Sequence, residues 1–347
     1  MRSSHWKRSL SLSYRAGVVL LAATLAISSQ ADEDLAGALP QGAHPWNGAA
    51  FDHSPEQVRF AIFSDLTGGE REGIFDIAVQ QLNLLRPELI LNVGDLIEGD
   101  GDRANVEGQW DTFDERAGKA RAPVFYLGGN HDLVGTMLQD IWDERYGQRY
   151  YHFEYRKVLF LVLDTEDNTP ERTDEIQRLR DEALKVAASD GWDAFAETPY
   201  AKLPENNGGN ISEAQSAYFQ QALADHPDVM WTFVLMHKAP WLRPDLKAFA
   251  DIEAALTDRP YTVFHGHKHA YQHQVRHGRD YIRLATTGGV QLSEHGRSMD
   301  HVVWVTVDES GADIANLLMS GILDKSGHIP GGGDDECFEA AVCGDLP

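Results

Sequence analysis

Five short groups of polar residues offer side chains that bind divalent metals: Phe63-Ser64-Asp65, Gly94-Asp95, Gly129-Asn130-His131-Asp132, Met236-His237 and His265-Gly266-His267-Lys268-His269. Between them they supply carboxylates, an amide oxygen and imidazoles, the mixed oxygen and nitrogen donor set that suits zinc, manganese or iron. Such a set points to a hydrolytic metal site. Taken singly, each group has a plainer reading. Aspartates such as Asp65 and Asp95 cap helices and turns, and Gly94 and Gly129 are ordinary turn glycines. Asn130-His131-Asp132 alone is a polar loop, and His237 alone is a histidine at a strand edge.

The case for one shared site rests on what precedes each group. Val58–Phe63, Leu89–Val93, Val124–Leu127, Met230–Leu235 and Tyr261–Phe264 are short, apolar, β-rich runs, which read as buried strands. In open α/β folds the loops beyond the carboxyl ends of strands gather at one edge, so residues distant in sequence converge there. Helices are predicted at Gly73–Leu85, Glu107–Ala120, Glu171–Ala188 and Ser212–Ala224. The first of them places Ile74, Ile77, Ala78, Leu82 and Leu85 on one face, as packing on a sheet requires.

In this order, each after a strand, the groups resemble the calcineurin-like metallophosphoesterase family, whose pattern runs D-x-H, G-D, G-N-H-D/E, a lone His after a strand, and G-H-x-H. The resemblance covers roughly Val58 to Val307. It implies an α/β fold in which two mixed β-sheets pack as a sandwich flanked by helices, and a two-metal centre that cleaves phosphate esters. It makes Asp95 the bridging carboxylate, with Asn130, His237 and His267 completing one metal and Asp65 and His269 serving the other. Two cations held roughly 3.5–4 Å apart clamp the attacking and leaving oxygens of an in-line displacement and lower the pKa of bound water, giving a metal-bound hydroxide as nucleophile. His131 then matches the family's non-ligand histidine, which assists the leaving group, with Asp132 orienting it. An imidazole suits this work because its unperturbed pKa lies near ~6.5. The implied substrate is a small phosphate ester, monoester or diester. Strands at Asp280–Ala285, His301–Asp308 and Asp313–Met319 are expected to complete the second sheet.

The chain departs from the pattern once. The family's D-x-H stands here as Asp65-Leu66-Thr67, so an imidazole ligand has become a neutral hydroxyl, a poor one. The first metal keeps Asp65, Asp95 and His269, and three protein ligands plus water still make a plausible catalytic site. Weaker occupancy is expected there, unless Glu70, Glu72, His273, His277, His295 or His301 fills the gap. Two alternatives to a general phosphoesterase follow: a dedicated phosphoprotein phosphatase, and a degenerate member that binds phosphorylated ligands without turnover, for which Thr67 is the support.

At the other end of the chain, Arg2, Lys7, Arg8 and Arg15 precede the apolar stretch Ala16–Ile27 and the small residues Ser28-Ser29-Gln30-Ala31. This reads as a cleaved signal peptide over 1–31 and a periplasmic or secreted protein, since a dozen apolar residues are too few to span a bilayer. Removing it takes away four positive charges and deepens a net charge already at −24. An acidic surface repels polyanions, which argues against nucleic acid or an anionic membrane as partner. Residues 32–56 read as a linker, 57–320 as one metallophosphoesterase domain, and 321–347 as an acidic tail. Its two cysteines, Cys337 and Cys343, are expected to pair in an oxidising compartment. Between Asp164 and Ile211 runs a polar segment bearing Trp192, Phe195, Tyr200 and the loop Pro204–Asn210. It is either a substrate-shaping cap over 165–211 or a simple helical insertion.

Overall fold

Half of the strands described are buried on both faces, which is why their sequences are nearly continuously apolar rather than alternating. In β1 (Val58–Phe63) the side chains of Val58, Phe60 and Ile62 enter one core while Ala61 and Phe63 enter another. The same division recurs in β4 (Val158–Val162), where Val158, Phe160 and Val162 face one way and Leu159 and Leu161 the other. The computed structural model describes residues 56–343. The expected signal peptide and all but the last residue of the linker lie outside the described residues.

The strands form two sheets. One has four strands in the order β10-β9-β1-β2, built from β1, β2 (Leu89–Asn92), β9 (His301–Asp308) and β10 (Gly311–Leu318). The other has six in the order β3-β4-β5-β6-β8-β7, where β3 is Tyr151–Tyr155, β5 Trp231–Leu235, β6 Tyr261–His265, β7 Gln272–Arg276 and β8 Arg279–Arg283. Pairing is parallel at β1/β2 and through β4/β5/β6/β8, and antiparallel at the remaining joints, so both sheets are mixed. Their inner faces meet around Phe60, whose ring stands edge-on to Phe160 at 5.2 Å and to Phe233 at 4.8 Å. Each such pair contributes about 0.5–1.5 kcal/mol beyond its buried area. Helices Ile74–Leu85, Arg103–Ala117 and Thr136–Tyr146 cover the four-stranded sheet around Trp110 and Trp142. Helices Glu213–Asp225 and Lys247–Ala255 cover the six-stranded sheet through Phe219 and Ile252. This is the α/β/β/α sandwich expected.

Four expectations need correction. Val124–Leu127 is not a strand: it meets β2 through a single bridge, Ile90 with Val124. Beyond that bridge the Asn92 carboxamide replaces the ladder, donating to the Phe125 carbonyl and accepting from the Leu127 amide. Next, β9 and β10 do not join the second sheet: β9 pairs with β1 in the first and β10 with β9, so that of the three expected strands β8 alone lies in the second. Their apolar faces suit either sheet, so the run alone does not choose. Third, Pro204–Asn210 is not all loop, since Pro204–Gly208 is helical. The helix expected from Glu107 begins at Arg103, where the Asp102 carboxylate caps it by accepting from the Asn105 amide at 3.0 Å.

Segment 165–211 leaves the sheet after β4 and returns before β5. Its long helix, Pro170–Asp190, is capped by Thr169, and a parallel bridge between Glu166 and Asn210 closes its base. Ile176, Ala183 and Tyr200 pack against Val134. In the tail Cys337 and Cys343 form a disulfide. The Phe338 side chain between them is buried in the core under the four-stranded sheet. Among the described residues no helix is long and apolar enough to cross a membrane.

Candidate metal centre

The carboxyl-end loops of β1, β2, β5 and β6, with the Gly129–Asp132 turn, bring the predicted ligands together. Asp65 is fully buried; its Oδ1 accepts from the His267 amide at 2.8 Å and its Oδ2 from the Ser64 hydroxyl at 2.6 Å. Asp95 follows Gly94, whose φ of 95° lies in the left-handed region. A side chain at that glycine would press within 2.7 Å of the Gly129 amide nitrogen, so the two loops approach as closely as they do only without one. Gly266 is equally constrained, because a Cβ there would overlap Asp65 Oδ2.

The ligand atoms fall into two overlapping groups, Asp65–Asp95–His269 and Asp95–His237–His267, each with its atoms within 4.8 Å of one another. Asp95 belongs to both, which is the relation a bridging carboxylate requires. Each histidine has one ring nitrogen committed to a backbone carbonyl. His237 Nδ1 lies 2.8 Å from the Val93 oxygen, His269 Nδ1 2.6 Å from that of Val290, and His267 Nε2 2.6 Å from that of Asn206. Such contacts fix the tautomer and leave the other nitrogen's lone pair for a metal. The ligands Asp95, His267 and His269 all have positive φ, at 57°, 75° and 50°.

The donor chemistry fits a cation. His237 Nε2 stands 3.2 Å from Asp95 Oδ2 and 3.1 Å from Asn130 Oδ1. Those oxygens are acceptors, and one N–H cannot serve both well, whereas a divalent ion is served by all three. Charge balance points the same way. Burial opposes ionisation of Asp95, yet His237 and His131 hold its carboxyl well below the usual range. Burial also opposes a proton on His237, but Asp95 outweighs it and lifts the imidazole to about 9. For His267, burial and then Lys268 and Lys238 push the pKa well down, keeping the neutral form that ligation needs.

Thr67 is buried and turned away from the ligand groups. Its hydroxyl faces the carbonyls of Ile97 at 2.9 Å and Asp95 at 3.2 Å, tying the β1 and β2 loops together. Among the described residues none of Glu70, Glu72, His273, His277, His295 and His301 joins either ligand group. His131 is beside the centre, its amide donating to Asp95 Oδ1 at 2.9 Å and its Nδ1 directed to the Glu98 carbonyl at 2.7 Å. Asp132 does not orient that ring. Its carboxylate accepts from the amides of Gly129, Leu96 and Ile97 at 2.7, 3.0 and 3.0 Å, pinning the two loops that carry Asn130 and Asp95. Burial and the Asp95 charge push Asp132 up to about 8 while the amides favour its ionised form.

Two contributors were not singled out in the sequence. Asn206 lies in the loop already noted but acts through its carbonyl, which any residue carries. Arg180 lies in the polar 165–211 segment and reaches His131 only through the way that segment folds back. Arg180 Nη2 stands 3.2 Å from His131 Nδ1. Glu166, also from this segment, forms a buried ion pair at 2.6 Å with Lys238, the residue after His237.

A two-sheet sandwich carrying two ligand groups on one shared aspartate defines a metallophosphoesterase-type protein. The family pattern described as calcineurin-like phosphoesterase matches residues 58–296, and the chain belongs to that family. Membership supports metal-dependent phosphoester hydrolysis as its broad activity. No curated protein matches the sequence. In fold the chain is similar to a dimetal phosphatase from Danio rerio, at 14% identity and a TM-score of 0.50, covering 75% of this chain and 98% of that one. It is also similar to a purple acid phosphatase from yellow lupin (Lupinus luteus) seeds, at 13% identity and 0.49, covering 77% and 52%.

Proposed function

We propose that this protein hydrolyses small phosphate esters at a two-metal centre. Asp95 would be shared between the ions, Asn130, His237 and His267 would hold one, and Asp65 and His269 would hold the other. The observation that carries this reading is the overlap of the two ligand groups on Asp95. When bound, divalent ions such as manganese, iron or zinc supply Lewis-acid stabilisation of the phosphoryl oxygens and an activated water. The chain's own residues do the rest. The carbonyls of Val93, Val290 and Asn206 aim the three imidazoles, and Asp132 fixes the spacing of the loops that bear Asp95 and Asn130. With His131 Nδ1 turned to Glu98, Nε2 is the nitrogen available to the leaving oxygen. Thr67, a loop brace with no imidazole, leaves the Asp65 side of the centre one ligand short, so that ion is the weaker bound. The leader-like sequence at residues 1–31 supports a periplasmic or secreted setting, and the acidic charge supports small esters rather than nucleic acids as substrates.

The test is metal analysis and p-nitrophenol release by the purified protein loaded with manganese, iron or zinc, with Asp95→Asn as control. Turnover that the control loses, together with a fall in metal content at both sites, is expected. Turnover by neither protein under any divalent metal would leave a phospho-ligand-binding protein.

A further inference from the structure

Arg180 is only 8% exposed, yet among the described residues no carboxylate lies within ion-pair distance of its guanidinium. Its one polar neighbour is His131 Nδ1, at 3.2 Å. That nitrogen is 2.7 Å from the Glu98 carbonyl, and while it donates there it has no lone pair for Arg180. The guanidinium therefore has no carboxylate partner among the described residues, and its Nε and Nη1 are not sealed from solvent, which leaves them free to take an anion. Tyr200 comes from the same segment and is 6% exposed. Burial raises its pKa, so the phenol keeps its proton, and the charges of Lys238, Arg180, Glu166 and Asp95 all bear on it. Its hydroxyl has no hydrogen-bond partner among the described residues and, unlike the indole nitrogens of Trp110 and Trp142, is not sealed from solvent. Segment 165–211 thus brings a charged donor, Arg180, to His131, and sets Tyr200, whose hydroxyl is unpartnered, in the same apolar cluster as Val134 just beyond the His131 turn. The segment is anchored there by Ile176, Ala183 and Val134 and by the Asn206 contact to His267.

We propose that Arg180 and Tyr200 form a donor clamp on the substrate's phosphoryl oxygens and make the centre prefer phosphomonoesters to phosphodiesters. The inference rests on the phosphoesterase reading of the metal centre. A monoester is a dianion near neutral pH and offers its extra charged oxygen to a fixed guanidinium, while a diester carries one charge and a second ester group in that place. Inorganic phosphate presents the same oxygens without a leaving group.

The experiment compares wild-type protein with Arg180→Gln, Arg180→Lys and Tyr200→Phe. Substrates are p-nitrophenyl phosphate and bis-p-nitrophenyl phosphate, with calorimetric titration of inorganic phosphate and metal analysis of every sample. Losing a charged hydrogen bond of this kind is worth about tenfold to a hundredfold. Arg180→Gln is expected to lower kcat/KM for the monoester by about that factor and for the diester by less than about threefold, and to weaken phosphate binding about tenfold, with metal content unchanged. Arg180→Lys is expected to fall between, because it keeps the charge and loses the fork, and Tyr200→Phe to shift the ester ratio the same way by less. Equal losses on both esters with unchanged phosphate affinity overturn the clamp and leave the enzyme reading intact. If Arg180→Gln fails to fold or sheds metal, the lysine and phenylalanine variants decide by the same ratio. Wild-type turnover of neither ester refutes the enzyme reading, and the phosphate titration still tests the clamp.

Discussion

Asp132 is the residue for which sequence and structure suggest different roles, and replacing it with asparagine separates them. In the fold its two oxygens accept three backbone amides: Gly129 on Oδ2 at 2.7 Å, and Leu96 and Ile97 on Oδ1 at 3.0 Å. An asparagine has one acceptor oxygen. Its best orientation keeps Leu96 and Ile97 and sets its NH2 group against the Gly129 amide, donor facing donor. One charge-assisted bond is lost, the other two become neutral, and a buried amide is orphaned, a cost of about 3–5 kcal/mol. Relief of a buried carboxylate, the effect that pushes Asp132 up to about 8, offsets part of this. About 2–4 kcal/mol remains, which for a domain of this size lowers Tm by roughly 5–10 °C. The assay is thermal unfolding alongside kcat at saturating metal. The expected pattern is a lower Tm and weaker metal affinity, with kcat at saturation reduced by less than about tenfold. An unchanged Tm with kcat down by about a hundredfold or more would refute the bracing role and return Asp132 to the chemistry of His131.

Two further outcomes follow from contacts described above. Thr67→Val removes the hydroxyl that faces the Ile97 and Asp95 carbonyls, and is expected to cost about 1–2 kcal/mol in thermal unfolding while leaving metal stoichiometry unchanged; loss of a metal would show that the hydroxyl is a ligand. Reducing the Cys337–Cys343 disulfide opens a loop whose ends are 6 residues apart. Unfolding scans with and without reductant are expected to differ by no more than about 2 kcal/mol, because so short a loop restrains the unfolded chain little. A larger loss would mean that the bridge holds Phe338, and the Asp300 amide bonded to its carbonyl, in place.

How much could be read beforehand depended on whether a residue acts through its type or its placement. The two candidate ligand groups were legible through the resemblance, which rests on residue types that can bind metals, Asp95 and His237 among them, and on the strand run that precedes most of them. The sandwich was expected only through the family resemblance; the runs themselves, such as Tyr261–Phe264, showed buried strands, and Val158–Val162, equally apolar, was not picked out. Sheet membership was not legible, since His301–Asp308 is as apolar as its neighbours and nothing local says that Val303 pairs with Ile62. Val124–Leu127 misled because Asn92 makes with a side chain the bonds a strand makes with its backbone. Arg180 escaped notice, and Tyr200 and the Pro204–Asn210 loop were noted only as parts of a cap or insertion, because their contacts depend on the return path of a polar segment, which carries no periodic mark.

The positive φ angles at Asp95, His267 and His269 bear on how this protein would respond to engineering. A non-glycine residue held in that conformation costs of order 1 kcal/mol, and glycine relieves the cost. At these three positions the backbone alone would favour glycine, and what weighs against it is the set of side-chain contacts that Asp95, His267 and His269 make. Libraries built to harden the fold should hold residues 95, 267 and 269 fixed and seek their gains elsewhere, since here the most stable backbone and the working centre call for different residues.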